Sequence, residues 1–364
     1  MKTIDQLDPN FLLDGQIPQN YIWQNPQEGP FQVWGLVPNR SGTYCRLPED
    51  QLGRFGEGVR ELAWHLSGGC VRFSTDSPGL AVIWKLKSAG NMAHFTACGQ
   101  SGLELFEEYD GGTRQIKNFL PRMNQGCGCC LHQSSYTALP KGMHSYVLYL
   151  PLYNGLEELQ LGFAPDARVG AGRTPAIEKP IVFYGSSITQ GGCASKCGSS
   201  YTNLLSRRLD AAQINLGFSG NAKGEREMAE YIAGLEMSAF VLDYDHNAPN
   251  AEHLEKTHEV FFQIIRAAQP DLPILILSRP DTDRDPEDVG RRCSVILRTW
   301  ENARKHGDRL VWMLEGKTLF GNRDRDLCTV DGCHPNDIGF LRMADAMEPV
   351  LREMLGRTGA SLQQ

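Results

Sequence analysis

The hydrophobic pattern changes its period near the middle of the chain, and no other feature constrains the fold as strongly. From about Arg40 to Phe163, apolar and polar residues alternate in short runs that Gly, Asp and Pro interrupt, a pattern typical of half-buried β-strands. Beyond Pro180, short continuous apolar runs are separated by stretches with helical spacing, as in parallel strands connected by helices. Because 364 residues also exceed one ordinary core, the sequence predicts two domains of different class.

The first half is predicted to be an antiparallel β-sandwich over residues 1–172. Its last strand shows the alternation best, because Leu159, Leu161 and Phe163 are separated by Gln160 and Gly162. Asp110-Gly111-Gly112 separates two further runs and is typical of a hairpin turn, since these residues tolerate positive φ. The expected strands cover residues 71–73, 80–86, 103–109, 146–150 and 156–163. Residues 165–180, rich in Pro, Gly and Ala, are interpreted as the linker.

The second half, residues 173–364, is predicted to be a three-layer α/β/α domain with a five-stranded parallel sheet. The five apolar runs are Ile181–Tyr184, Gln213–Leu216, Ala239–Asp243, Ile274–Leu277 and Leu310–Met313. Two helices show a clear apolar face. One face comprises Leu254, His258, Phe261, Ile265 and Ala268, and the other comprises Leu341, Ala344, Met347, Leu351 and Met354.

Composition and charge exclude several classes of partner. The chain carries a net charge of −7 and no run of Lys and Arg longer than a pair, whereas a nucleic-acid partner requires a clustered basic face. No stretch approaches the roughly 18 uninterrupted apolar residues of a membrane helix. The N-terminus lacks the apolar core of a signal peptide, which predicts a cytoplasmic protein. A sequence that began downstream of a removed leader would look the same. The oligomeric state stays open.

Eleven cysteines are present, an odd number that favours reduced thiols over a disulfide framework in a large chain without a leader. Cys127, Cys129 and Cys130 form a C-x-C-C cluster, but no second Cys or His pair follows at zinc-finger distance. Free thiols are therefore favoured over a metal at this cluster, whose role stays open.

Polar segments follow four of the five predicted strands of the second half. They are residues 184–192, 217–221, 244–247 and 331–336. In an open α/β sheet, ligands bind at the carboxyl ends of the strands, so these segments should meet. Each is weak alone, because a Gly-Ser-Ser turn can be simple turn chemistry and Asp331 can simply cap the next helix. Neither a phosphate-binding loop nor the G-x-S-x-G elbow is present.

Together the four segments supply every part of a serine hydrolase site. Ser187 offers a hydroxyl at the exit of the first strand, His334 can accept its proton, and Asp331 can fix the tautomer of the imidazole. The N–H groups of Ser187 and Gly220 and the side-chain amide of Asn247 can converge on a developing oxyanion.

These segments, GSSIT, GFSGN, DHN and DGCHPN, resemble the four consensus blocks of the SGNH (GDSL-like) hydrolase superfamily over roughly residues 178–355. The resemblance implies a flavodoxin-like fold without cofactor or metal. By position it implies Ser187 as nucleophile, Gly220 and Asn247 as oxyanion donors, and Asp331 with His334 as the activating pair. The family usually has Asp where this chain has Ser186, which leaves two adjacent serines as candidates. D-H-N also replaces the usual G-x-N-D.

The first half carries its own resemblance. Arg46-Leu47-Pro48, the GLELFEEYDGG hairpin and residues 150–155 resemble the jelly-roll-like β-sandwich that precedes a subset of bacterial SGNH esterases. The two-domain arrangement resembles carbohydrate esterases that deacetylate plant polysaccharides. This implies a serine esterase, a carboxylic ester hydrolase acting on short acyl and most often acetyl esters of a carbohydrate or related small molecule. An acyltransferase, a thioesterase and a non-catalytic carbohydrate-binding protein remain alternatives. Whether the first domain contacts the substrate stays open. In the second half, Arg279-Pro280-Asp281 after the fourth strand is interpreted as a solvated charged turn.

Overall fold

The computed structural model describes residues 7–8, 16–38, 44–90, 92–124 and 128–357. Cys127 of the cysteine cluster therefore lies outside the described residues. The ten cysteines that are described form no disulfide with one another. None of the described helices combines the length and apolar character of a membrane span.

The described part of the first half contains antiparallel strands and the short helices α1 (Glu57–Leu62) and α2 (Ala97–Ser101). The strands are β1 (Ile22–Gln24), β2 (Gln32–Trp34), β3 (Val37–Pro38), β4 (Tyr44–Cys45), β5 (Cys70–Thr75), β6 (Gly79–Leu86), β7 (Leu103–Tyr109), β8 (Gly112–Phe119), β9 (Met123–Asn124), β10 (Gly128–Cys129), β11 (His132–Ala138), β12 (His144–Tyr149), β13 (Leu156–Phe163) and β14 (Val169–Ala171). A short 3-10 helix covers Glu49–Arg54.

Two sheets share the core of this half. One has the order β1-β13-β6-β11, and the other has the order β14-β5-β12-β7-β8, with β2 also paired to β5. Phe73 and Tyr146 from the second sheet and Trp84 and Leu161 from the first belong to one buried cluster. The alternation in the sequence places these side chains on the inner faces. The predicted hairpin is confirmed, since Tyr109 pairs with Gly112 across a turn in which Gly111 has a φ of 94°.

The second half contains a parallel five-stranded sheet of order β16-β15-β17-β18-β19. Its strands are β15 (Ile177–Gly185), β16 (Ala211–Gly217), β17 (Ala239–Asp243), β18 (Ile274–Leu277) and β19 (Val311–Leu314). Its helices are α3 (Ser187–Gln190), α4 (Tyr201–Leu209), α5 (Arg226–Ala233), α6 (Ala251–Ala268), α7 (Pro286–Lys305) and α8 (Asp337–Arg357). Short 3-10 helices cover Cys197–Ser199, Asp245–Asn247, Gly316–Thr318 and Arg325–Cys328.

Helices cover both faces of this sheet, which gives the three layers that the sequence predicts. Along β15, Val182 and Tyr184 point into a core shared with α5, α6 and α7. Ile181 and Phe183 point into the opposite core, which α4 and α8 complete. Because side chains alternate across a strand, an uninterrupted apolar run is what a sheet buried on both faces requires.

The structure corrects three of the sequence predictions about the secondary structure. The supposed linker at residues 165–180 contains β14, which pairs with β5, and the first residues of β15. A short edge strand gains its hydrogen bonds from one neighbour and needs no apolar period. Ala268 is exposed because it ends α6, and Leu341 is 44 % exposed because the buried face of α8 starts instead at Phe340. The proposed domain boundary at 172/173 stays a prediction.

Arg46 ties the first half to the edge of the parallel sheet. Its guanidinium is buried and donates to the backbone carbonyls of Asn215 and Gly217 at 3.0 and 2.6 Å and to that of Leu62 at 2.6 Å. It also lies 4.6 Å from the ring centroid of Phe218. Burial lowers the pKa of Arg46 to about 10, yet the group remains charged at neutral pH. Arg46 thereby holds the end of β16, from which the Gly220 loop departs.

Candidate active site

Ser187 lies at a tight turn between β15 and α3. A side chain at Gly185 would collide with Thr189 Oγ1 at 2.1 Å and with the carbonyl of Asp243 at 2.4 Å, so only glycine fits this exit. Ser186 is the N-cap of α3, and its Oγ accepts a hydrogen bond from Ile188 N–H at 3.2 Å. The turn directs the two serines differently, with Ser186 bonded to the backbone of its own turn.

Ser187, His334 and Asp331 form one hydrogen-bonded line. Ser187 Oγ lies 3.0 Å from His334 Nε2, and His334 Nδ1 lies 2.8 Å from Asp331 Oδ2. An ionised carboxylate only accepts hydrogen bonds, which assigns the imidazole proton to Nδ1 and leaves Nε2 as the acceptor for the serine hydroxyl. Ser187 lies 144 or more positions before Asp331 and His334, which are three positions apart. The edge of the sheet brings all three together.

Asp331 is held as an anion by three donors. Besides His334 Nδ1, the backbone N–H groups of His334 and Cys333 donate to Oδ1 at 2.7 and 2.9 Å. Burial alone would raise the pKa of Asp331, but these hydrogen bonds outweigh it and lower the pKa to about 2. Asp331 is thus ionised throughout the neutral range.

Gly220 and Asn247 lie together, as the sequence predicts, but they bond to each other. Gly220 N–H donates to Asn247 Oδ1 at 3.2 Å, and Asn247 Nδ2 donates to the carbonyl of Phe218 at 2.8 Å. Gly220 has a φ of 67°, which favours glycine. An amide nitrogen carries two hydrogens, and the Phe218 bond accounts for one of those on Asn247. Ser187 N–H is in the first turn of α3, where no intrahelical acceptor exists.

The buried carboxyl group of Asp243 stabilises the turn that carries Ser187. Asp243 Oδ2 accepts hydrogen bonds from the hydroxyls of Thr189 at 2.9 Å and Tyr201 at 2.8 Å. Burial raises the pKa of Asp243 to about 7, although these two bonds act in the opposite direction. The sequence predicts Asp243 only as the end of a strand, because nothing in the local pattern indicates that it faces α3.

The interpretation of Arg279-Pro280-Asp281 as a solvated turn is wrong. Asp281 is 4 % exposed and receives two hydrogen bonds from Arg279 at 2.7 and 2.6 Å. His246 Nε2 lies 2.8 Å from Asp281 Oδ1, and its Nδ1 lies 3.8 Å from Cys333 Sγ. Burial opposes ionisation, but Arg279 and His246 hold the pKa of Asp281 well below its usual range. The fold turns this loop inward, beside the loop of His334.

The first half borders the site. Tyr153 donates a hydrogen bond from its hydroxyl to the carbonyl of Ser187 at 3.0 Å. The ring centroid of His94 lies 5.9 Å from that of His334. No periodic or motif signal in the sequence distinguishes His94, and the segment 150–155 that contains Tyr153 gives no sign that this residue reaches Ser187, because both positions depend on how the two halves pack.

A parallel sheet of order 2-1-3-4-5 with a Ser-His-Asp line at its carboxyl edge defines an SGNH-type hydrolase fold preceded by a β-rich domain. Residues 178–352 match the sequence model of the GDSL-like lipase/acylhydrolase family, and residues 21–169 match that of the N-terminus of SGNH-hydrolase-type esterases. The chain belongs to the GDSL-like (SGNH) hydrolases, as its sequence blocks indicate. It matches no curated protein.

Solved structures share the whole two-domain architecture. A Bacteroides ovatus protein assigned provisionally as a GDSL-like lipase is 29 % identical, with a TM-score of 0.82 over 93 % of this chain and 98 % of its own. The salicylyl-acyltransferase SsfX3 of a tetracycline biosynthetic pathway is 21 % identical, with a TM-score of 0.73 over 94 % of this chain and 99 % of its own. A family two carbohydrate esterase from Cellvibrio japonicus is 13 % identical, with a TM-score of 0.59 over 92 % of this chain and 98 % of its own.

Proposed function

We propose that this protein is a serine esterase that hydrolyses short acyl esters, acetyl esters above all, of a carbohydrate or related small molecule. The observation that carries the proposal is the line from Ser187 Oγ to His334 Nε2 at 3.0 Å and from His334 Nδ1 to Asp331 at 2.8 Å. A nucleophile, a base and an orienting carboxylate in this geometry are what acyl transfer requires.

The reaction proceeds through an acyl-enzyme. Ser187 Oγ attacks the ester carbonyl carbon while its proton passes to His334 Nε2, and Asp331 stabilises the imidazolium. The carbonyl oxygen becomes an oxyanion that Ser187 N–H, Gly220 N–H and Asn247 Nδ2 stabilise, which requires the Gly220–Asn247 bond to open. The intermediate then collapses, and the alcohol leaves with the proton from Nε2. Water repeats the sequence on the acyl-enzyme and releases the acid.

A polar cavity beside Asp331, whose lining includes neither Ser187 nor His334, favours a polar substrate. A cavity of about 430 Å³ borders Asp331, and six of its nine lining residues are charged. They are Asp281, Asp283, Arg284, Arg325, Asp326 and Asp331. Charged and hydrogen-bonding groups suit the hydroxyls of a sugar, whereas a long acyl chain needs an apolar channel. The carbohydrate esterases of the same architecture agree with this choice of substrate class, although their likeness extends to the fold alone.

The two adjacent serines provide the sharpest test of the mechanism. We expect Ser187→Ala to abolish the burst of p-nitrophenol from p-nitrophenyl acetate, because the attacking oxygen is removed. Ser186→Ala is the matched control, since it deletes the same atom one residue away. It should retain a measurable fraction of kcat and lose about 1 kcal/mol of stability, the usual cost of an N-cap.

Covalent labelling identifies the nucleophile directly. An organophosphonate should label Ser187, as read by peptide mass spectrometry, and an adduct on Ser186 with an active Ser187→Ala variant would overturn the assignment. A screen of acetylated sugars then tests the substrate class, and product analysis with added sugar acceptors separates hydrolysis from acyl transfer. No turnover of any ester or thioester by folded protein would favour a non-catalytic carbohydrate-binding role.

A further inference from the structure

Two metal-ligating side chains with no part in the proposed reaction lie beside the catalytic histidine. His94 and Cys193 each offer a ligand atom, and these atoms and one nitrogen of His334 all lie within 4.8 Å of one another. We call these three residues the His94 cluster. His94 is exposed and comes from the first half, while Cys193 is 5 % exposed and follows α3.

The hydrogen bonds decide which nitrogen of His334 is available to a metal ion. Nδ1 is bonded to Asp331 at 2.8 Å, so Nε2 is the nitrogen that remains for a metal ion. Its lone pair is the one that receives the proton of Ser187, whose Oγ is 3.0 Å away. A metal ion and the serine proton therefore compete for the same electron pair.

We propose that the His94 cluster binds a thiophilic divalent transition-metal ion such as Zn²⁺, and that the occupied site is catalytically silent. Two imidazoles and one thiolate are ligands that Zn²⁺ prefers, and its tetrahedral geometry leaves a fourth position for Ser187 Oγ or water. On binding, the Cys193 thiol releases its proton to solvent. Asp331 already orients His334 in the way that carboxylates orient zinc-bound histidines. The silencing, unlike the binding, rests on the proposed function.

A neighbouring group of potential ligands is less suited to a cation. His246, Asp281 and Cys333 also lie within 4.8 Å of one another, but both oxygens of Asp281 are bonded to Arg279. The guanidinium charge disfavours a second cation there. Cys193 has a φ of 75°, a conformation that costs about 1 kcal/mol or more outside glycine. The fold thus maintains this thiol position against local strain.

Inhibition by zinc gives the first test. We expect Zn²⁺ to abolish p-nitrophenyl acetate hydrolysis by metal-free enzyme and EDTA to restore it. Cys193→Ala and His94→Gln should keep the basal rate and lose sensitivity to Zn²⁺. Cys333→Ala is the matched control, because it removes a thiol next to His334 in sequence and should remain sensitive. Inhibition that persists in Cys193→Ala would overturn the proposal.

Cobalt spectroscopy tests binding without activity. Co²⁺ added to the Ser187→Ala variant should produce a thiolate-to-cobalt charge-transfer band and the d–d bands of a tetrahedral site. Both should vanish in Ser187→Ala combined with Cys193→Ala. Absence of these bands in Ser187→Ala would overturn the metal site whatever the protein hydrolyses. Their presence in a protein that turns over no ester would retain the site and reject the proposed function.

Discussion

Replacing Asp331 with asparagine separates catalysis from folding at a single atom. The new side chain keeps an Oδ1 that can accept the two backbone bonds, which Asp331 receives from His334 and Cys333 at 2.7 and 2.9 Å. The changed atom is the one 2.8 Å from His334 Nδ1. There an amide would present a hydrogen to the Nδ1–H, and two donors cannot bond. The imidazole therefore carries its proton on Nε2, and Nε2 can no longer accept the proton of Ser187.

The expected loss follows from this tautomer change. In serine hydrolases an orienting Asp→Asn change lowers kcat by about 10⁴, equivalent to about 5.5 kcal/mol of transition-state stabilisation at 1.36 kcal/mol per tenfold. We expect a loss of this order for Asp331→Asn with a melting temperature close to that of the unsubstituted protein. Initial rates with p-nitrophenyl acetate and a thermal unfolding curve provide the two readouts.

Asp331→Ala is the control, because it removes both functions of the carboxylate. It should lose the same activity and also unfold at lower temperature, since the backbone donors of residues 333 and 334 lose their acceptor. If Asp331→Asn keeps its activity and only melts earlier, Asp331 does no more than hold the turn that carries Cys333 and His334, and the catalytic line is refuted.

Four further expectations can be measured with the same protein. Asn247→Ala should lower kcat by about 10²–10³ with KM within a few fold; an unchanged kcat would shift the donor role to another group, with His246 the first to test. Asp243 keeps its proton to pH about 7 when folded but ionises near 3.8 when unfolded, so stability falls as pH rises from about 4 to 7, by about 4 kcal/mol. Urea unfolding should show this fall in the free energy of unfolding with pH for the unsubstituted protein and no such fall for Asp243→Asn. Equal dependence on pH in the two proteins would contradict the burial argument. Arg46→Met should lower the free energy of unfolding by about 3 kcal/mol because three carbonyls lose a charged donor; an unchanged urea midpoint would show that Arg46 contributes nothing net. Acetyl esters should react faster than octanoyl esters, and a preference for eight carbons or more in initial rates would contradict the proposed short-acyl specificity.

Much of the fold follows from local pattern. The two periods predicted two classes of domain, and the five apolar runs correspond to β15–β19 within a few residues. The errors have a common cause. β14 lacks an apolar period because it is an edge strand that pairs on one side, and Leu341 lies one position outside a face that only packing defines. Local spacing cannot report either fact.

The sequence by itself determined the chemistry available at the sheet edge. Because parallel strands end at the same edge, residue types at four strand exits predicted that Ser187, Gly220, Asn247 and the pair Asp331 and His334 would meet. Only the tertiary structure decided which groups are buried and what they face. Asp281 is a polar surface residue by sequence but becomes a buried anion once β18 and the His246 loop pack around it. His94 reaches His334 from the other domain, a contact that no spacing along the chain encodes.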